Sequence, residues 1–211
     1  ENLAEILLNQ AIKIHKKDLD DNIKMSENGL ELVRKVCQKK GKDKINILTH
    51  CNAGALATAG YGTALGLIRK SNENGLVNRV FVDETRPYLQ GARLTAWEMI
   101  TENIPATLIC DSSAGYLMKK GEIDAVVIGA DRIAKNGDTA NKIGSYSLSV
   151  LAKYHGIDFW VVAPTSTIDL ETQTGNDIII EERPREEIEF FQGIRIAPKD
   201  IDIKNLSFDV V

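Results

Sequence analysis

Short apolar runs of four or five residues alternate with longer segments of helical periodicity through most of this 211-residue chain. The runs are nearly continuous in valine, isoleucine, leucine and phenylalanine, so they lack the polar alternation of a strand with one face in water. Such strands, separated by helices, are typical of a parallel sheet buried on both faces and wound by βαβ crossovers. The pattern therefore predicts an α/β fold with a Rossmann-like, doubly wound, mainly parallel sheet of about six strands. The predicted strands are residues 45–49, 79–82, 106–109, 125–128, 159–162 and, as the sixth, 178–180.

Two helical segments precede the first predicted strand. Apolar residues recur at helical spacing in residues 3–14, and a second periodic stretch occupies residues 20–36. Gly41 then provides a helix stop signal. We therefore expect two helices within residues 1–44, followed by a Rossmann-like domain in residues 45–211.

Charge and cysteine content narrow the classes of partner. The formal net charge is -4, so we expect no broad cationic surface for nucleic acid or an anionic membrane, and a small anionic ligand would need a local pocket. The longest apolar runs are too short to cross a membrane. Cys37, Cys51 and Cys110 are widely spaced and form no CxxC pair, which argues against a disulfide framework or a structural zinc site. We expect a cytoplasmic protein.

Polar residues follow each of the first five predicted strands. In open α/β sheets, ligands bind at the carboxyl ends of the strands, and five strands here would supply side chains to one rim. These polar segments are residues 50–52, 83–86, 111–113, 131–132 and 164–166.

Cys51 is the first candidate catalytic residue on this rim. Small residues follow it, so its sulfur is expected near a helix N-terminus, where the dipole and free N–H groups favour the thiolate. It could then act as a base or nucleophile, although a small buried core cysteine is an equally ordinary interpretation. His50 is a poor partner for it, because adjacent residues on a strand end point to opposite faces.

Asp131 is the second candidate. It follows a dry apolar strand, where desolvation should raise the pKa of its carboxyl and allow it to act as a general acid. The alternative is an aspartate that caps the following turn or pairs with Arg132. Lys142 follows a turn and could be an exposed charge at a helix start or a phosphate contact.

The glycines between Gly60 and Gly66 resemble a dinucleotide-binding motif but miss its spacing by one residue. They also lie ten residues after the first strand, where a helix should already be under way, so close helix packing explains them better. No nicotinamide cofactor is therefore expected.

Three long blocks of the sequence resemble methylthioribose-1-phosphate isomerases, whose fold is shared with regulatory subunits of translation initiation factor 2B and with ribose-1,5-bisphosphate isomerase. The blocks run from Thr49 to Gly66, from Asp83 to Glu98 and from Gly129 to Gly144. Together they are far more specific than any single short motif.

The resemblance implies that Cys51 and Asp131 are the catalytic pair and that Gln90, Asn141 and Lys142 contact the substrate, with no metal or other cofactor. It also implies a homodimer that binds a small sugar phosphate. Members of the family use a small N-terminal domain with an Arg-Gly-Ala segment that helps to hold phosphate. Residues 1–44 are then expected to be the helical connection from such a domain to the catalytic domain, residues 45–211.

The function implied by the resemblance is the aldose-to-ketose conversion of 5-methylthioribose 1-phosphate to 5-methylthioribulose 1-phosphate in methionine salvage. One alternative is an isomerase that acts on ribose 1,5-bisphosphate, or on a 5-deoxyribose 1-phosphate other than the methylthio sugar. The other is a non-enzymatic regulatory subunit of the initiation factor 2B type. The bisphosphate enzyme should need extra basic groups. A regulatory subunit is expected to lack the equivalent of Cys51 or Asp131, and this chain has both.

Overall fold

A computed structural model describes residues 2–211 and confirms the Rossmann-like α/β fold. Its α-helices are α1 (Leu3–Lys40), α2 (Ala64–Glu73), α3 (Ala96–Thr101), α4 (Ala114–Lys119), α5 (Ser145–His155) and α6 (Glu186–Glu189). The strands are β1 (Ile45–Thr49), β2 (Val77–Asp83), β3 (Ala106–Ile109), β4 (Ala125–Ile128), β5 (Arg132–Ala134), β6 (Thr139–Lys142), β7 (Asp158–Val161), β8 (Ile168–Asp169), β9 (Phe190–Phe191), β10 (Ile194–Arg195) and β11 (Phe208–Val210).

The main sheet contains five parallel strands in the order β3-β2-β1-β4-β7. These are the first five predicted strands, with ends that differ by at most two residues. The chain winds outward from β1 through β2 to β3 and then returns to place β4 on the other side of β1. A crevice therefore opens between the carboxyl ends of β1 and β4, at the point where the strand order reverses.

Alternate side chains of the central strands enter two separate cores. On β1, Ile45 and Ile47 pack with the layer formed by α1, α2 and α3, whereas Leu48 packs with α4 and α5 on the opposite face. On β4, Val127 faces the first layer and Ile128 the second. Burial on both faces explains why these strands read as continuous apolar runs.

The two helices predicted within residues 1–44 are one helix, α1, which begins at an Asn2 cap and ends at Gly41 in the left-handed conformation. The segment between the two periodic stretches contains no glycine or proline, and polar residues alone do not end a helix. The C-terminal half packs on the core, while apolar residues of the N-terminal half are exposed. Within residues 2–211, no helix has the length and apolar character that crossing a membrane requires.

A second, smaller sheet has the order β11-β6-β5-β8 and was not predicted. Its core is the antiparallel β5–β6 hairpin, which carries the chain away from Asp131 and back to Lys142. The predicted sixth strand, residues 178–180, is wrong, because this run pairs with no strand and Ile179 is 93% exposed. An apolar run becomes a strand only where a neighbouring edge is free to bond it.

Candidate active site

The crevice between β1 and β4 is a cavity of about 290 Å³ lined by both candidate catalytic residues. Cys51 enters it from the end of β1, and Asp131 from the segment that follows β4. Asn141 joins them from β6. Three of the five predicted site residues therefore share one cavity at the switch point of the sheet. The other polar lining residues are Asp18, His50, Asn52, Thr58, Thr63 and Thr167.

The segment after Cys51 is not the helix start that the sequence predicted. Only a three-residue 3₁₀ turn, Ala55–Ala57, follows it, and α2 begins at Ala64. A buried carboxylate, Glu98, replaces the helix dipole as the organising feature, accepting hydrogen bonds from the backbone N–H groups of Ala55 and Leu56.

Burial has the largest effect on the pKa of the Cys51 thiol. Desolvation raises that pKa, and the Asp131 carboxylate raises it further. The backbone N–H of Asn52 and the charge of Lys142 act in the opposite direction by stabilising the thiolate. Asn52 and Lys142 are therefore the two groups that favour the Cys51 thiolate, which is the nucleophilic form of a cysteine.

The pKa of the Asp131 carboxyl is raised by its surroundings, as predicted from the sequence. Desolvation raises this pKa, and the charge of Lys142 partly opposes the rise. Arg132 is not its partner, because that guanidinium pairs with Asp169 at 3.3 Å. Lys142 thus acts electrostatically on both members of the candidate pair.

The amide of Asn141 lies between Asp131 and Ser145. The orientation that suits its neighbours has the nitrogen donating to Asp131 Oδ2 across 3.3 Å. The amide oxygen then accepts from the Ser145 hydroxyl at 2.9 Å and from the Lys142 N–H at 3.3 Å. This arrangement stabilises the carboxylate form of Asp131.

Gln90 and Lys142 line a neighbouring cavity of about 240 Å³ instead. The Lys142 ammonium lies 4.4 Å from the centre of the Phe208 ring, and Gln90 Oε1 is buried without a hydrogen-bond partner. Arg183 also lines this second cavity, a basic residue that the sequence patterns did not single out because it lies in the irregular C-terminal segment.

His50 is buried and its two ring nitrogens are both engaged away from Cys51. Nδ1 lies 2.9 Å from Asp83 Oδ2, and Nε2 lies 2.8 Å from the Ile143 carbonyl, which can only accept. Burial lowers the pKa of His50, but the hydrogen bond and charge of Asp83 outweigh it and raise the pKa overall. The structure agrees with the expectation that His50 is not a base for Cys51, and gives it the role of joining β1 to the turn before α5.

Asp111 forms a cluster with His50 and Asp83. Each of the three residues has an atom that could bind a metal ion, and these atoms lie within 4.8 Å of one another. Both Asp111 oxygens already accept backbone hydrogen bonds, from Thr85 and Arg86 at 2.7 Å each. Burial raises the pKa of Asp83 to about 6, with His50 opposing that rise. These bonds make the cluster an internal hydrogen-bond network that supports the rim.

Fold and site together define the class: a Rossmann-like α/β protein with a candidate cysteine and aspartate acid–base pair at the switch point of its sheet. A sequence model of the Initiation factor 2 subunit family matches residues 1–211. The chain belongs to that family, which confirms the resemblance at the family level.

Relatives with an assigned activity are similar over the whole chain. The methylthioribose-1-phosphate isomerase of Acetivibrio thermocellus is 55% identical over 210 residues, covering 100% of this chain and 59% of the relative. The enzyme of the same name from Caldicellulosiruptor saccharolyticus is 57% identical over 208 residues, covering 99% and 58%. The chain therefore spans less than two thirds of the length of these relatives.

Two solved structures are also similar. The 5-methylthioribose 1-phosphate isomerase from Pyrococcus horikoshii OT3 superposes with a TM-score of 0.91 at 45% identity, covering 100% of this chain and 57% of that one. The translation initiation factor eIF-2B, subunit delta, from A. fulgidus superposes with a TM-score of 0.89 at 46% identity, covering 98% and 58%.

Proposed function

We propose that this chain carries the catalytic centre of an aldose–ketose isomerase that converts 5-methylthioribose 1-phosphate to 5-methylthioribulose 1-phosphate in methionine salvage. The observation that carries the proposal is the meeting of Cys51 and Asp131 in one cavity at the switch point of the sheet. The names of the full-length relatives support the choice of substrate.

The chemistry requires both an acid and a base. The anomeric carbon carries a phosphate ester, so the sugar ring cannot open as a free hemiacetal does. In the proposed mechanism Asp131 donates its proton to the ring oxygen as the bond from that oxygen to C1 breaks, while the Cys51 thiolate takes the proton from C2. The electron pair of the C2–H bond forms a C1–C2 double bond. Cys51 then returns its proton to C1, and the Asp131 carboxylate takes the proton of the C2 hydroxyl as the ketone forms.

Substrate contacts are assigned to Gln90, Asn141 and Lys142. Lys142 is suited to a phosphate because it is cationic, lines the second cavity and acts electrostatically on both Cys51 and Asp131. Within this proposal residues 45–211 form the catalytic domain, and residues 1–44 connect it to the remainder of a protein of the relatives' length. The enzyme would be a cytoplasmic homodimer.

The test is turnover of 5-methylthioribose 1-phosphate by the full-length protein, measured beside ribose 1,5-bisphosphate. We expect the methylthio substrate to have the higher kcat/KM, and a clear preference for the bisphosphate would overturn the substrate assignment. Deuterium at C2 of the substrate should exchange with water if Cys51 is a base. Complete retention of the label at C1 would indicate a hydride shift, with Cys51 as an electrostatic helper.

A second candidate is a non-enzymatic regulatory subunit, favoured by the similarity to the A. fulgidus structure described as an initiation factor subunit. Such a protein would use the same surface to bind a partner and would not turn over sugar phosphates. The presence of both Cys51 and Asp131 supports the enzyme. Absence of turnover, together with stable binding of initiation factor 2, would reverse that choice.

A further inference from the structure

Cys51, two residues after the end of β1, has an unusual backbone conformation. Its φ angle is 64°, in the left-handed region that side chains with a Cβ rarely adopt. Residues in such conformations persist only where the surrounding structure holds them, and they cluster at functional sites. The groups that hold Cys51 are therefore informative.

Two threonine hydroxyls bind the two polar groups of the Cys51 backbone. The Cys51 N–H donates to Thr85 Oγ1 at 2.9 Å, and Thr85 Oγ1 in turn donates to the Asp83 carbonyl at 3.0 Å. On the other side, Thr95 Oγ1 donates to the Cys51 carbonyl at 2.6 Å and accepts from Asn52 Nδ2 at 3.2 Å. Both threonines are 0% exposed, so water cannot replace either bond.

These hydroxyls come from two segments that are themselves locally unusual. Thr85 lies in the loop after β2 and has a φ angle of 65°, with its N–H donating to Asp111. Thr95 ends a π-helical segment, Gly91–Thr95, a form of helix that is frequent at functional sites. Gly91 lets that segment approach β2, since a Cβ there would lie 1.7 Å from the Asp83 carbonyl oxygen.

The left-handed turn also sets the peptide that follows Cys51, because the φ and ψ angles of a residue fix the direction of the next peptide. The N–H of that peptide, which belongs to Asn52, is among the groups that favour the Cys51 thiolate against the effect of burial. An extended Cys51 would place that N–H group elsewhere.

We propose that Thr85 and Thr95 are positioning residues that clamp Cys51 in the left-handed conformation and so fix the position of its sulfur in the cavity between β1 and β4. Neither threonine touches the reacting atoms; both act through Cys51. The role of the Cys51 thiolate as a base rests on the proposed function. The clamp does not, because the hydrogen bonds that form it involve no substrate.

The test measures alkylation of Cys51 by iodoacetamide as a function of pH in the folded full-length protein, with each cysteine followed by peptide mass spectrometry. Below its pKa a thiol reacts in proportion to its thiolate fraction, and losing one stabilising hydrogen bond is worth about one pKa unit. We therefore expect Thr95→Val and Thr85→Val to slow Cys51 alkylation at neutral pH by about tenfold. Thr95→Ser, which keeps the hydroxyl, should restore the rate.

Internal and matched controls separate this role from general damage. Cys37 is buried and Cys110 is exposed, so partial unfolding would speed the reaction of Cys37, while Cys110 supplies a reference rate. Thr49, the last residue of β1, is also a buried threonine and donates to the Val127 carbonyl of β4 at 2.8 Å. Thr49→Val should leave the Cys51 rate unchanged. An unchanged Cys51 rate in both clamp variants with Cys37 still protected would overturn the proposal, as would an equal loss in Thr49→Val.

If both valine variants unfold, hydrogen exchange in the unaltered protein decides the question. The clamp requires the Cys51 amide to exchange as slowly as the amides of β1, and exchange at the rate of an exposed loop would refute it. Because neither measurement uses a sugar phosphate, failure of the isomerase assay leaves the clamp testable, and failure of the clamp leaves the assay result standing.

Discussion

The two sides of the cavity are built differently. On the Cys51 side, buried hydroxyls and the Glu98 carboxylate hold the backbone from residue 51 to residue 56 in a single arrangement. On the Asp131 side, the chain leaves the main sheet for a small hairpin, and the neighbouring Asn141 amide donates one hydrogen bond to the carboxylate. The difference suits the proposed roles. A thiolate must be held against burial, whereas a carboxyl that gives up and regains a proton needs fewer donors around it.

The largest effect should come from removing the anchor of the Cys51 side. Glu98 is 2% exposed, accepts three hydrogen bonds from the Asn52–Leu56 loop and pairs with the buried Arg69. Glu98→Ala leaves these groups unpaired, so we expect the free energy of unfolding to fall by about 3–5 kcal/mol. Urea denaturation followed by circular dichroism measures it. A loss below about 1 kcal/mol would show that the loop does not depend on its anchor.

Next in size is the loss of chemistry on either side. Cys51→Ser and Asp131→Asn should each reduce kcat for 5-methylthioribose 1-phosphate by at least about 100-fold, because a general acid or base is typically worth that much. Cys110→Ser, at an exposed cysteine, is the control and should retain full turnover. Near-normal rates in either cavity variant would remove that residue from the mechanism.

The profile of kcat/KM against pH should have one limb set by Asp131 and another set by Cys51. Burial raises the pKa of both groups, and a cysteine thiol ordinarily titrates well above an aspartic acid. The active form, with a thiolate and a protonated Asp131, is then a minor tautomer of the singly protonated pair. Its fraction falls below the pKa of Asp131 and above the pKa of Cys51, which makes the profile of kcat/KM bell-shaped. A flat profile across both limbs would contradict the paired mechanism.

A smaller effect is expected from Ser145→Ala, which tests whether Ser145 holds the Asn141 amide in place. Without the hydroxyl, the amide oxygen loses one of its two donors, so the amide nitrogen is held less firmly on Asp131 and stabilises its carboxylate less. The pKa of Asp131 should rise by up to about one unit, since that corresponds to one hydrogen bond. The acidic limb then moves to higher pH, and the plateau rises by up to about tenfold, because the active tautomer becomes more common.

The plateau and the limb should move together in Ser145→Ala. A reduced plateau with an unmoved acidic limb would mean that Ser145 serves only packing. Ser149→Ala is a suitable control, since Ser149 lies on the same helix and its hydroxyl only donates to the Tyr146 carbonyl.

The smallest effect should come from the ion pair on the outer surface of the Asp131 side. Arg132 and Asp169 have side chains that are 53% and 30% exposed. Exposed ion pairs contribute little, so Arg132→Ala should change the free energy of unfolding by less than about 1 kcal/mol. The same denaturation assay measures it. A loss comparable to that of Glu98→Ala would show that the two sides are held equally firmly.

Much of this molecule could be predicted from local patterns, and the limits of that prediction are physical. The strand after residue 44 and the strand before Asp131 were correctly placed, because burial on both faces leaves a continuous apolar signature. The β5–β6 hairpin was missed because its strands are short and carry polar residues such as Arg132 and Asn141. Its pairing depends on a distant segment, β11, that supplies the other edge.

The site shows the same division. Strand ends predicted that Cys51 and Asp131 lie on one rim, since topology alone brings them there. The partners of Cys51 could not be predicted, because Thr85 and Thr95 are 34 and 44 residues away in sequence, and an isolated threonine carries no pattern. Their role follows only from the folded arrangement of two loops.

The left-handed backbone at position 51 also has an evolutionary consequence. For a residue with a Cβ this conformation is less favourable by about 1–2 kcal/mol than for glycine. Glycine at this position would therefore make the backbone more stable, and only selection for the thiol keeps a cysteine there. In a lineage that no longer needs the thiol, replacement by glycine would be gained easily, since it relaxes the chain without disturbing the sheet. The identity of this one residue across descendants of the family should therefore record which lineages kept a catalyst and which kept only its architecture.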